Sequence, residues 1–273
     1  MTETIDRVIG TLGFSEPLPV RMKYHANDTS RDVMNVVPRA VPIENARTWH
    51  PAPRLDEEGF ALFPHASALR DFRNAEDVAR IYAAEVEALL RSVTGADDVV
   101  INGPGLLRFG EKSKDSGALN NSRPARFVHI DSSDVAVAGF RERLSVPEGR
   151  GLKRVVHYNV WRALTPPPQD VPLALCDARS LAAGDLIPAD AMFDRDGDIL
   201  FSFEGLVLRH NPAQRWAYFA DMTPDEALIF KTNDSDPAHA HHVPHGAFDD
   251  PSCPADTPPR ASIEMRATAL WYA

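Results

Sequence analysis

At Gly95 the apolar pattern changes period, and that change limits the folds open to this chain. Before it, NAEDVARIYAAEVEALLRSV carries Val78, Ile81, Tyr82, Val86, Leu89, Leu90 and Val93 at helical spacing. Asn74 suits an N-cap, Glu76 and Asp77 suit the positive end of the helix dipole, and Gly95 suits a stop. A helix is predicted from about Ala75 to Val93. After Gly95 come DDVVINGPGLLRF, ARFVHID, LKRVVHYNVWRAL, DILFSFEGLVLRH, RWAYFADM, EALIFKTND and ASIEMRATALWY. These runs are rich in β-branched and aromatic residues, and turn residues separate them. Such a series behind one strong helix predicts a sandwich or barrel that the helix braces.

The rest of the chain adds boundaries. Residues 1–70 are proline-dotted and predict an arm with a few short strands, such as Phe60 to Phe63. Residues 71–95 hold the helix and 96–273 the β core, all within one domain. TPPPQDVP and DDPSCPADTPP read as stiff loops, and Asn211-Pro212-Ala213-Gln214 as a hairpin turn. A chain of 273 residues buries enough apolar surface to fold without staples. Cys176 and Cys253 make no framework, so a reduced, cytoplasmic setting is expected. MTETIDRVIGTLGF has no apolar core of signal-peptide length, and no apolar run is long enough to span a membrane. The net charge of −10 speaks against nucleic acid or an anionic membrane as partner.

The chemistry gathers at three places. His129 and Asp131 end the run ARFVHID. Residues i and i+2 of a strand share a face, so an imidazole and a carboxylate lie side by side. A third ligand from a distant strand would complete a facial triad, which suits non-haem Fe(II) and leaves positions for a bidentate oxo acid and dioxygen. His239, His241, His242 and His245 are the candidates. His239 and His241 suit a solvated loop. His245 differs, because it follows Pro244 and precedes the strand-like GAF. Near the end, Arg260, Ser262, Glu264 and Arg266 share one strand face. A guanidinium and a hydroxyl at i and i+2 can hold a carboxylate in a fixed fork. Arg260 and Arg266 both qualify. Arg266 has a slight preference, since Arg260 directly follows Pro258-Pro259. Tyr158, Asn159, Trp161 and Arg162 are candidate substrate contacts. Alternation puts Asn159 and Trp161 on one face and the other two opposite. Cys176 sits in an apolar run and Cys253 in a proline loop, so neither is read as a nucleophile.

The stretches YNVWRAL…VPLALCDARSL, HNPAQRWAYFADMTPDEALIFKTND, PHGAFDDPSCPADTPPRASIEMRA and GFALFPHASALRDFRN carry a family resemblance over about residues 20–273. The chain resembles the cephamycin-methoxylation and aspergillic-acid-type hydroxylase/desaturase family of Fe(II)/2-oxoglutarate-dependent oxygenases. The resemblance implies a mainly β chain with flanking helices and a double-stranded β-helix core, jelly-roll and cupin-like. It implies Fe(II) on His129, Asp131 and His245, and 2-oxoglutarate on the strand of Arg260, Ser262 and Arg266. It also implies a small, secondary-metabolite-like substrate and dioxygen as partners. Many members follow the ligand pair with tyrosine, whereas here Ser132 and Ser133 follow, which leaves more room beside the metal.

Two rival classes stand beside this expectation. One is an accessory protein that keeps the fold and supports a partner enzyme. The other is a cupin-like zinc or iron enzyme that needs no oxo acid. The sequence is silent on substrate identity and leaves a homodimer open.

Overall fold

The computed structural model describes residues 6–273, so the first five residues of the N-terminal arm lie outside it. Strands are numbered along the chain. The larger sheet runs in the order β1 (Arg7–Ser15), β3 (Val36–Asn45), β12 (Trp216–Tyr218), β9 (Leu173–Cys176), β14 (His245–Ala247), β7 (His129–Ile130), β11 (Asp198–Leu208), β10 (Leu186–Arg195) and β2 (Met22–His25). The smaller runs β4 (Phe60–Pro64), β13 (Glu226–Asp234), β8 (Leu152–Ala163), β15 (Ala261–Tyr272) and β5 (Asp98–Ile101), with β6 (Leu106–Phe109) also on β15. The two sheets face each other as a jelly roll. Trp161, Leu228 and Phe230 from the smaller sheet pack with Leu175 and Ala217 from the larger.

Each of the seven strand-like runs contains a strand, and DDVVINGPGLLRF breaks into β5 and β6 at its Gly-Pro-Gly turn. The N-terminal segment does more than the sequence suggests. β1 and β3 pair over nine residues, and Gly13 bridges to Phe127 beside β7. The larger sheet thereby curls around a second core of Leu12, Phe14, Ile43, Val128, Ile130 and Trp216. Pro38 and Pro42 in β3 disguise it as irregular chain. Asn211–Gln214 is a turn, with Gln214 N–H donating to the Asn211 carbonyl. It is not a hairpin, because β11 pairs with β7 and β10 while β12 pairs with β3 and β9.

The helix begins at the Asn74 cap, as α1 (Ala75–Asp77), passes through one π-helical turn (Val78–Tyr82) and continues as α2 (Ala83–Thr94). Gly95 ends it at φ 68°, a left-handed position that glycine adopts without strain. The buried residues are Val78, Tyr82, Val86 and Leu90, a strict four-residue repeat. Four residues overshoot a 3.6-residue turn, and the wider π turn absorbs part of the excess. All four residues therefore stay on Val156, Tyr158, Val160, Ile263 and Met265 of the smaller sheet. This packing fixes β8 and β15, whose opposite faces carry the site. α3 (Asp134–Arg141) follows β7 directly, capped by the Ser133 side chain.

Leu90→Ala should cost about 3 kcal/mol of stability. Urea denaturation followed by circular dichroism would measure it.

Candidate metal centre

His129 and His245 stand directly opposite each other on the antiparallel strands β7 and β14. Directly opposed residues bring their Cβ atoms to about 5 Å, and here the ring centroids are 4.4 Å apart. Each ring uses Nδ1 in the same way. His129 Nδ1 lies 3.1 Å from the Phe127 carbonyl, and His245 Nδ1 lies 3.2 Å from the Val243 carbonyl. A ring that donates from Nδ1 keeps a bare lone pair on Nε2. Asp131 follows β7, with Oδ1 3.6 Å from His129 Nε2. The three residues are buried, and their ligand atoms all lie within 4.8 Å of one another.

Charge at the centre is arranged for ligation. Burial, aided by His129, pushes His245 down to about 3, so it is neutral at ordinary pH. Burial alone would raise the Asp131 carboxyl, but Arg266 and the two histidines hold it well below the usual carboxylate range. Two imidazoles and one carboxylate form the nitrogen and oxygen set that suits non-haem Fe(II). Asn159 Nδ2 donates to Asp131 Oδ2 at 2.6 Å, and Arg266 Nη2 donates to Oδ1 at 3.1 Å. Arg266 also reaches Glu264 at 3.1 Å. Arg266 and Asn159 are cross-strand partners on β15 and β8, which explains why both meet one carboxylate. Gly205 on β11 permits the close approach at this point. A Cβ there would lie 3.0 Å from the Asp131 carbonyl and 2.7 Å from the Tyr24 hydroxyl.

The structure separates the two arginines. Arg266 is engaged with Asp131 and Glu264. Arg260 is fully buried, and its Nε and Nη2 have no hydrogen-bond partner among the described residues. Burial and the neighbouring Arg108 push it down to about 10. The buried Ser262 hydroxyl is also without a partner. Trp161 lies on the same inner face, with the Arg260 guanidinium 5.6 Å from its ring centroid. Tyr158 and Arg162 take the opposite face, towards the helix. Arg162 there contacts the Tyr82 ring, His65 and the Pro224 carbonyl. The remaining histidines of the cluster are half-buried and held. His241 Nε2 lies 2.8 Å from Asp134 Oδ1, and His239 Nε2 lies 3.5 Å from Asp236 Oδ2, so the loop is less solvated than its sequence suggests.

Beside Asp131 and Ser132 opens a cavity of about 480 Å³. Phe140, Phe193, Phe201 and Phe203 wall it, and His157 reaches it from β8. Sequence reading missed these residues. His157 shares the inner face with Asn159 by simple alternation, and FSF at 201–203 carries the strand signal. β10 hides behind Pro188 and two aspartates, Asp190 and Asp194.

A jelly roll whose interior gathers two histidines and a carboxylate defines a mononuclear non-haem metal oxidoreductase. The chain belongs to the family described as the oxidoreductase/YMDC permease-like domain, which it matches over residues 13–270. It is 31% identical to the Fe(II)/2-oxoglutarate-dependent dioxygenase nvfI of Aspergillus novofumigatus over 93% of this chain and 91% of the relative. It is 30% identical to the hydroxylase/desaturase CTB9 of Cercospora beticola over 85% of this chain and 76% of the relative. The solved iron and alpha-ketoglutarate-dependent endoperoxidase NvfI superposes with a TM-score of 0.81 at 26% identity, covering 98% of this chain and 99% of that one. Among the described residues no helix is long and apolar enough to cross a membrane.

Burial and the Arg141 charge push His157 down to about 4. An unfolded histidine titrates near about 6.5. The folded chain keeps His157 neutral where the unfolded chain takes up a proton, so its stabilising contribution is full above about pH 6.5 and is lost as pH falls to about 4. The urea midpoint should drop across that window, and less steeply in His157→Leu.

Proposed function

We propose that His129, Asp131 and His245 hold one Fe(II), and that Arg260 with Ser262 anchors the far carboxylate of 2-oxoglutarate. The protein is an Fe(II)/2-oxoglutarate-dependent oxygenase that acts on a small, secondary-metabolite-like molecule. One observation carries this reading: a buried triad accompanied by a buried guanidinium and hydroxyl whose Arg260 Nε, Arg260 Nη2 and Ser262 Oγ have no partner among the described residues. An unpartnered buried charge is costly, and a dicarboxylate would relieve that cost. When bound, iron and 2-oxoglutarate supply the oxidising power, with dioxygen consumed, succinate and carbon dioxide released, and the substrate hydroxylated, desaturated or cyclised.

The chain supplies position and charge. The two Nδ1 contacts fix both imidazoles with Nε2 turned inward. Asn159 and Arg266 fix the rotation of the Asp131 carboxylate. Arg266 is thus a positioning residue for the ligand, and the anchor falls to Arg260, whose planar fork matches a carboxylate. Trp161 supports that guanidinium from below. The phenylalanine wall keeps water from the reacting carbon.

Within the family, the quoted phrases support a place among the cephamycin-methoxylation and aspergillic-acid-type hydroxylase/desaturases. Residues 1–273 act as one oxygenase domain in this reading, because β1 and β3 share the sheet that carries His129 and His245. A reducing, cytoplasmic setting suits the two free cysteines, of which buried Cys176 has its thiol pushed up to about 12 by burial.

With Fe(II), ascorbate and 2-oxoglutarate the protein should release succinate. Without oxygen it should show the weak visible band of an iron–oxo acid complex. His129→Ala and Asp131→Ala should abolish both, whereas an accessory protein would show neither from the start. Arg260→Ala should raise the KM for 2-oxoglutarate about a hundredfold while Fe(II) still binds. Asn159→Ala should weaken metal binding about tenfold or more, read by equilibrium titration.

A further inference from the structure

The cavity beside Asp131 has an uneven lining. Phe193 and Phe201 face each other across the β10–β11 pair and stack at 4.3 Å and 9°. Phe203 extends the stack at 5.2 Å from Phe193, and Phe140 of α3 meets it edge-on at 5.6 Å. This wall is flat, aromatic and long enough for fused or linked rings. Opposite it, the polar groups of β8 and β15 are almost all spoken for. Asn159 is bonded to Asp131, and Arg266 to Asp131 and Glu264. Thr232 donates to the His157 carbonyl. The Asp194 carboxylate accepts from the Asn27 N–H, and Arg143 is exposed at the rim.

His157 Nε2 is the exception. The residue is 8% exposed, it lines the cavity, and Nε2 has no hydrogen-bond partner among the described residues. Its other nitrogen is fixed by a short relay. Asn102 Nδ2 donates to Thr268 Oγ1 at 2.7 Å, and Thr268 Oγ1 lies 3.0 Å from His157 Nδ1. Thr268 and His157 are direct cross-strand partners, so the register enforces the contact. Among the described residues the buried Thr268 hydroxyl has no acceptor other than His157 Nδ1, so its hydrogen is directed there. The ring proton then sits on Nε2, as a donor. Burial and Arg141 push this histidine down to about 4, so the donor is uncharged at neutral pH.

We infer that His157 is the specificity-determining residue of the substrate cavity, donating from Nε2 to an acceptor oxygen of a neutral, largely apolar ring compound laid against the phenylalanine wall. This deepens the oxygenase reading, on which the presence of a reacting carbon near Asp131 rests. A carbonyl or ether oxygen satisfies the orphaned donor. A carboxylate would give up its hydration for a single uncharged N–H, because Arg141 donates to Asn233 and Arg143 stands exposed at the rim, and a pure hydrocarbon leaves the donor buried and unmet. Pinning one oxygen while the rings stack fixes which carbon faces the metal.

Prodan tests this as a neutral naphthyl ketone. Its emission moves to the blue in apolar surroundings and to the red when its carbonyl accepts a hydrogen bond. The full chain should bind it with blue-shifted emission. His157→Leu should weaken binding about tenfold and move the emission further to the blue. His157→Gln, which retains a side-chain N–H, should recover most of the affinity. The corresponding naphthoate should bind more weakly than the ketone. No binding by the wild type, equal binding by the leucine variant, or tighter binding of the naphthoate would overturn the inference. Should the variants fold poorly, the wild type with nitrogen-labelled histidine decides: prodan should shift the His157 Nε2–H resonance, and an unmoved resonance refutes it. These readouts use neither iron nor 2-oxoglutarate, so they stand or fall apart from the succinate assay.

Discussion

Everything at the centre of this protein hangs on one register, the pairing of His129 with His245 across β7 and β14. These strands have two and three residues, too short to hold themselves. They are held because β7 lies between β14 and β11, and β14 lies between β7 and β9. A slip of either strand by one residue would turn its imidazole out of the interior and break the pair. The curl of the larger sheet through β1 and Gly13 guards against such a slip, since it ties the chain just before His129 to the far edge of the same sheet. The N-terminal strands thus contribute to the metal centre without touching it.

The interior shows two ways of handling buried charge. Buried Lys231 and Asp234 form a closed network with the partly buried Arg154 and the exposed Asp56, and the lysine reaches both carboxylates, at 2.6 and 2.7 Å. It is satisfied and structural. Arg260 and Ser262 on β15 are left open, although their burial is as deep. An unmet buried charge or hydroxyl costs on the order of 1–3 kcal/mol each. The helix and the dense packing of β8 against β15 offset that cost, which is how binding sites are usually carried by stable scaffolds.

Much of this was legible in the sequence. The period change at Gly95 gave away the helix and the β core, and strand alternation placed His129 with Asp131 and Asn159 with Trp161. The less legible parts share a cause. β3 and β10 contain prolines and aspartates that local propensity counts against strands, and tertiary pairing overrides them. Arg260 and Arg266 differ in which guanidinium a neighbour has already claimed. The Asp131 partner comes from the larger sheet, just after β7, and no spacing within β15 reveals it. The π turn was hidden likewise, because a four-residue repeat looks helical whichever way the turn is wound.

To one side of the two strands that bear the histidines stand the stacked phenylalanines, on β10 and β11. Of that pair, only β11 touches a strand that bears one. Its outer end, with Ile199, Leu200 and Phe201 exposed, is tied to the rest of the chain through Asn27 on Asp194 and Arg31 on Gly197. Changes to that hairpin can therefore accumulate without disturbing the chemistry. A lineage built on this scaffold is free to explore new molecules by rewriting one wall, while the oxidising machinery is inherited unchanged.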